Sequence, residues 1–348
     1  MSEKTSDKNR TELQDLGEFG LIDRLTQGVE LTQKSTVLGV GDDAAVVSNG
    51  GLSTLIAKDL LLEGVHFDLS YAPLQHLGYK AVTVNISDIV AMNGHCHQVL
   101  VGIGLSNRFS LEAVETLYEG IQFACKQYGV DLVGGDTTSS QSGLVLSVTA
   151  VGSVDPERLV TRSGAQTGDL ICVTGNLGAA YLGLQVLARE KQVFLENSEM
   201  QPQLEGFEYI VKRQLTAEAR VDLVHWFEQQ NILPTAMIDL SDGLASDLLH
   251  ICKASKAGAR IYQEKLPIDP VATDAALEFK MDPTTCALNG GEDYELLFTI
   301  SQDHYQLLET HPDISIIGHV TESDQGADLV LRSGEFTPLK AQGWNHFH

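Results

Sequence analysis

Basic residues are scarce in this chain: 23 Lys and Arg stand against 47 Asp and Glu, for a formal charge of −24. A field of that sign repels a phosphate backbone, so a nucleic-acid partner is disfavoured. Cysteine is sparse as well. Cys96, Cys125, Cys172, Cys252 and Cys286 are scattered, with no CxxC among them, which argues for reduced thiols rather than a disulfide framework. No apolar run approaches the roughly 18 residues that span a bilayer. Residues 1–16 are polar and charged and lack the apolar core of a signal peptide. Together these absences lead to the expectation of a cytoplasmic protein with no membrane and no nucleic-acid partner. Familiar catalytic signatures are missing too. There is no GxxxxGK[ST] loop, no HRD or DFG set and no HExxH, which excludes a P-loop enzyme, a protein kinase and a zincin. His95 and His97 flank Cys96, but no partner cluster accompanies them in the sequence, and they read as loop residues.

The 348 residues are long for one core, and two domains are expected. A hydrophobic share of 43% with 20% charge is a globular profile. Residues 1–16 read as a flexible lead-in and 17–28 as a short helix. Residues 37–47 and 52–57 read as strands joined by a Ser-Asn-Gly-Gly turn, and 79–92 as a helix. Ser110 caps a helix whose apolar residues share one face up to Gly129. Residues 99–105, 131–135 and 144–151 are further strands. The turn-rich stretch 155–168 suggests a joint, with an N-terminal domain over 17–155 and a C-terminal one over 156–348. Beyond it, 170–174, 236–240 and 314–320 read as strands. Residues 175–189, 216–229 and 244–257 read as helices, 192–207 as an irregular excursion, and 286–300 as a loop then a strand. Helices and strands mix without strict alternation, which favours α+β over a doubly wound sheet.

Glycine, 32 residues in all, often sits beside an acid. Four segments place an acid after a strand or in a tight turn among small residues. They are GVGDDAA at 39–45, GGDTT at 134–138, IDLSDG at 238–243 and GGEDYE at 290–295, and Asp59 and Asp88 belong with them. Each alone is ordinary turn chemistry. As a set they suit a hard divalent cation, because clustered carboxylates repel one another without one, and the glycines let a polyphosphate approach the backbone. Gly39, Gly41 and Ala44 mimic the dinucleotide fingerprint, with Asp59 further on. A hairpin rather than a helix is expected to follow, so the fingerprint fails its context test.

In order along the chain, GVGDDAAV (39–46), KDLLLEGVHF (58–67), NISDIVAMN (85–93), GGDTT (134–138), TRSGA (161–165), IDLSDGL (238–244) and GGEDYELL (290–297) resemble the thiamine-monophosphate kinases, over nearly the whole chain. The GDD and GGDT elements are shared with aminoimidazole-ribonucleotide synthetase and selenophosphate synthetase. The resemblance implies a two-domain fold of the aminoimidazole-ribonucleotide synthetase kind, with an N-terminal β-sheet domain that pairs in a homodimer and a C-terminal α/β domain beside it. It implies transfer of a phosphoryl group from ATP to thiamine monophosphate, direct and in line, with several Mg²⁺ ions. Asp43, Asp59, Asp88, Asp136, Asp239 and Asp242 would hold the metals. Gly135, Asp136, Arg162 and Ser241 would face the nucleotide, with Asp239, Asp242 and Arg162 carrying the catalysis. His66, Glu292 and Trp344 would line the thiamine-phosphate pocket. One departure from the family pattern is Ala57-Lys58 before Asp59, where hydroxyl residues are common. It leads to an expectation of one fewer tightly held Mg²⁺, with Lys58 replacing part of a metal charge or touching a phosphate. The competing readings are a selenophosphate synthetase-like enzyme, disfavoured because the first cysteine is Cys96, and a cation-binding protein without catalysis, which leaves Arg162 and the glycine turns unexplained.

Overall fold

The computed structural model describes residues 13–48 and 50–342, with side chains from Glu18 onward. Helix α1 (Leu13–Thr26) starts four residues before the expected one. A first sheet follows, built from β1 (Thr36–Leu38), β2 (Ala45–Val47), β3 (Ser53–Leu62), β4 (His95–Leu105), β5 (Asp131–Ser139) and β6 (Leu144–Val154). Its strand order is β1-β2-β3-β6-β4-β5, with only the β4–β5 pair parallel. The single strand expected over 37–47 is two short ones. Thr36 pairs with Val47, so residues 39–44 form the tip of a hairpin. The acids Asp42 and Asp43 explain the break, since a ladder would leave them on a pleated surface instead of at a loop tip. A strand, not a helix, follows the glycines, as expected. His95, Cys96 and His97 are not loop residues. They open β4 beside a bulge.

Between β3 and β4 runs α2 (Leu74–Ala91). From Leu77 to Ala91 every residue except Asp88 is buried. A helix apolar on all sides needs cover on all sides, and α2 has it. It packs on the first sheet, on α3 (Leu111–Tyr128) and on the second half of the chain. The α2–α3 contact is backbone on backbone. A Cβ on Gly78 would lie 2.1 Å from the Leu117 carbonyl oxygen, and one on Gly120 would lie 1.9 Å from that of Gln75. Helix α3 runs as its caps predict, with the Ser110 hydroxyl accepting from the Ala113 N–H and Gly129 closing it at φ 66°.

The second sheet contains β7 (Leu170–Thr174), β8 (Ala236–Asp239), β9 (Gly258–Tyr262), β10 (Leu296–Ile300), β11 (Ile314–Thr321), β12 (Ala327–Val330) and β13 (Phe336–Pro338). Its order is β13-β12-β9-β11-β7-β10-β8. Around it lie α4 (Ala179–Glu196), α5 (Glu208–Leu215), α6 (Val221–Gln229), α7 (Leu244–Ser255), α8 (Pro270–Glu278), α9 (Pro283–Asn289) and α10 (Tyr305–Glu309). The excursion expected from residue 192 is helical up to Glu196, and the helix expected over 216–229 begins at Val221, with α5 separate before it. One core is continuous across both halves: Ile86, Ile89 and Met92 share it with Phe227, Met237 and Phe298. The mixed, mostly antiparallel sheets are the expected α+β class. No helix among the described residues is long and apolar enough to cross a membrane.

Candidate active site

Four elements converge on one spot. Asp43 sits at the tip of the β1–β2 loop, Asp59 on β3, Asp88 in the last turn of α2 and Asp239 at the end of β8. Carboxylate oxygens of Asp43, Asp88 and Asp239 lie within 4.8 Å of one another. Burial, then the charges of Asp59, Asp239 and Asp43, pushes the Asp88 carboxyl well above its ordinary range. Burial and then the Asp43 charge raise Asp239 from 3.8 to about 7, against the opposing pull of Ser87 and Arg162. Burial and Glu18 raise Asp59 to about 6. Buried carboxylates this close cannot all ionise without a counter-charge. In addition, the Asp43 Oδ2 is buried without a hydrogen-bond partner. An oxygen-only, multiply anionic pocket with an unpaired ligand atom fits a hard divalent cation such as Mg²⁺.

The surrounding residues set the geometry. Arg162, from the segment joining the two sheets, donates through Nη2 to Asp43 Oδ1 (2.6 Å), and its backbone N–H donates to the Asp42 carboxylate (3.1 Å). Its carbonyl accepts from the Ser255 hydroxyl of α7 (3.2 Å). Burial opposes the charge on Arg162, but Asp43 holds the guanidinium protonated. Ser87 donates to Asp239 Oδ2 (2.6 Å). Asn85 accepts the Asp59 N–H (3.0 Å) and donates to the Ala81 carbonyl (3.0 Å). The buried Asp247 accepts the N–H groups of Asp242 and Gly243, fixing the loop that follows Asp239. Thus the last turns of α2 direct Asn85, Ser87 and Asp88 to this one site.

Another polar residue of α2, Lys80, is only 6% exposed. Its Nζ donates to Glu292 Oε2 (2.9 Å) and to the Gln214 carbonyl (2.9 Å), while Gln214 Nε2 donates to the same Glu292 oxygen (2.7 Å). The GGEDYEL segment therefore divides its labour. Glu292 joins the site's edge. Asp293 caps α4 by accepting from Gly178 (2.7 Å), and Glu295 binds Arg213, Arg220 and Thr174. Glu292 and Tyr294 both have left-handed backbones (φ 59° and 50°) and donate their N–H groups to the Ser241 and Leu240 carbonyls. Non-glycine residues held there concentrate at functional sites. The sequence reading missed Lys80, Asn85, Ser87, Gln214 and Asp247. Polar residues inside the apolar run 77–91 were the available signal for three of them.

Other expected residues stand differently. Ser241 and Asp242 lie on the loop after β8, next to the trio. His66 lies in the turn after β3, where its Nδ1 accepts the Leu62 N–H (3.0 Å). Gly135 and Asp136 lie on β5, an exposed edge strand, and within one chain the described residues do not bring Asp136 to the trio. Gly135 has a packing reason: a Cβ there would meet the Val101 carbonyl oxygen at 1.9 Å. Lys58 is corrected. Alternation along β3 sends its side chain to the sheet face opposite Asp59, where it donates to the Ser147 hydroxyl, so it does not stand in for metal charge among these carboxylates. Trp344 lies outside the described residues.

Comparison with known proteins adds the following. Residues 41–154 match the AIR synthase related protein, N-terminal domain, and residues 166–330 match the AIR synthase related protein, C-terminal domain. The thiamine-monophosphate kinase of Bacillus subtilis (strain 168) is 33% identical over 341 residues, covering 95% of this chain and 100% of that protein. That of Aquifex aeolicus (strain VF5) is 35% identical over 336 residues, covering 96% and 99%. A solved structure of AaThiL complexed with AMPPCP and TMP superposes with a TM-score of 0.82 at 33% identity, covering 98% of this chain and 100% of that one.

Proposed function

The chain belongs to the AIR synthase related family and, within it, to the thiamine-monophosphate kinases, and on that premise we propose that its acid trio is the metal-binding centre for ATP-dependent phosphorylation of thiamine monophosphate. The enzyme is a kinase whose acceptor is itself a phosphate. The observation that carries the assignment of the site is the convergence of Asp43, Asp88 and Asp239, with an orphaned Asp43 oxygen, at the junction of both sheets.

The acceptor phosphomonoester has a second pKa of about 6 and is mostly dianionic at neutral pH. No general base is needed, and the obstacle is the approach of two anions. Asp43, Asp88 and Asp239, with Asp59 behind them and Asp242 beside them, would hold Mg²⁺. Bound there, Mg²⁺ supplies neutralisation of phosphate oxygens. Ser87 orients Asp239, and Asn85 fixes β3 at Asp59. Arg162 is a counter-charge already in place on Asp43, free to turn to a nucleotide phosphate when a cation takes its position. Ser241 lies on the same rim. Glu292, oriented by Lys80 and Gln214, offers a negative group to the thiazolium, and Tyr71 stands close enough to feel the Glu292 charge. His66 and Trp344 complete the acceptor pocket in this reading. Transfer is direct, with no phosphoenzyme.

Residues Ile56, Leu60 and Leu62 of β3, Leu100 of β4 and Val133 of β5 leave apolar side chains exposed on the first sheet. This supports a homodimer formed through that sheet. Gly135 and Asp136, on its edge, would then meet the nucleotide in the paired molecule. Use of ATP and five free cysteines support a cytoplasmic setting. The test is conversion of thiamine monophosphate and ATP to thiamine diphosphate in Mg²⁺, followed by chromatography, with Asp239→Asn as control. Product that vanishes in the control supports the reading. Undiminished product in Asp239→Asn, or none in the unaltered protein, overturns it.

A further inference from the structure

His95, His225 and Glu228 form a second candidate metal site, unrelated to the acid trio. His95 opens β4 of the first sheet. His225 and Glu228 stand one turn apart on the outer face of α6, whose Leu223, Val224 and Phe227 face the core. The i, i+3 spacing points both side chains the same way, the arrangement by which helices present paired metal ligands. His95 Nε2 lies 2.8 Å from Glu228 Oε1, and His225 Nδ1 lies 3.6 Å from Glu228 Oε2. The two imidazole centroids are 5.0 Å apart. One ligand atom from each residue falls within 4.8 Å of the other two. Zinc bonds of about 2.0–2.1 Å in tetrahedral geometry separate ligand atoms by about 3.3 Å. The two carboxylate–imidazole distances, one to each oxygen of Glu228, lie on either side of that value.

The geometry points to a two-histidine, one-carboxylate site for a borderline divalent cation of the zinc kind, which would clamp β4 of the first sheet to α6 of the second half of the chain. The chemistry separates it from the trio. Imidazole nitrogen selects zinc-type ions, whereas the all-oxygen trio selects Mg²⁺. The fourth position faces solvent and is left for water. A cation there would take the place of the hydrogen bond between His95 and Glu228. The clamp holds the two halves at the end of β4 away from the acids, so it acts on stability rather than on chemistry.

The experiment is calorimetric titration of the full chain with Zn²⁺ in millimolar Mg²⁺, which occupies the trio, together with thermal melting and Co²⁺ absorption. Expected are one saturable equivalent per chain, a higher melting temperature with Zn²⁺, and a tetrahedral Co²⁺ spectrum. His225→Ala and Glu228→Gln, both at exposed positions, should weaken binding by more than about tenfold and remove the melting shift, while Asp43→Asn leaves both. Absence of saturable binding, binding that survives His225→Ala, or binding lost in Asp43→Asn would each overturn the proposal.

Discussion

Asp239→Asn should stabilise the metal-free protein at pH 8 while abolishing its chemistry. Asp239 is buried, and its carboxyl is raised from 3.8 to about 7 by burial and Asp43. The folded state therefore holds a proton that the unfolded state releases. The stability this group contributes is complete below about 3.8 and is lost as pH rises through about 7. Above that, the ionised form carries a native-state penalty on the order of 4 kcal/mol. Asparagine cannot ionise and escapes it. It still accepts the Ser87 hydroxyl, though a neutral acceptor is worth about 1 kcal/mol less than a charged one. The expected net gain is about 1–3 kcal/mol at pH 8, shrinking toward zero near pH 4. Urea unfolding in EDTA at several pH values reads this directly. Mg²⁺ should reverse the order, raising the unaltered protein's midpoint and leaving that of the variant almost unmoved. A variant less stable than the parent at pH 8 without Mg²⁺ would refute the electrostatic account of the trio.

Lys80→Met should raise the KM for thiamine monophosphate by freeing Glu292, and should destabilise by less than the about 3–5 kcal/mol of a fully buried pair, because Glu292 keeps 31% exposure. Unchanged KM with a lower melting temperature would leave Lys80 a packing role only. Gly135→Ala should destabilise by about 1–3 kcal/mol through overpacking against Val101. An unshifted melting temperature would refute the packing reason, and unchanged ATP binding would count against Gly135's place beside the nucleotide in the paired molecule. Incubation with γ-labelled ATP should leave no label on the protein after quenching, and a retained phosphoryl group would rule out direct transfer.

Local rules made some elements legible. Ser110 and Gly129 delimit α3 because a hydroxyl cap and a left-handed glycine act within a few residues. Helix α2 was readable from its apolar run, though its beginning at Leu74, behind Pro73, was not. The acids at the ends of strands pointed to a cation site because small residues and carboxylates after β-runs are a local signature. What stayed hidden depends on distant partners. Asp88 gains meaning only when α2 carries it to the end of β8, and the role of Lys80 needs Glu292, 212 positions away. Lys58 was misplaced because its neighbour Asp59 points inward, and strand alternation turns adjacent side chains to opposite faces. Short elements such as β9, α8 and β12 lack a period long enough to read, and tertiary pairing decides them. His95 read as a loop residue for the same reason: its strand partner, Ser153 on β6, lies outside any local window.

The central claim is that the trio holds the cations that make transfer between two anions possible. Thiamine diphosphate formed from ATP and thiamine monophosphate, measured across a Mg²⁺ titration for the unaltered protein and for Asp88→Asn, tests it most directly. Strict Mg²⁺ dependence with a loss of about 10²-fold or more in the variant is the predicted result. Full activity in Asp88→Asn at the same Mg²⁺ concentration would contradict it.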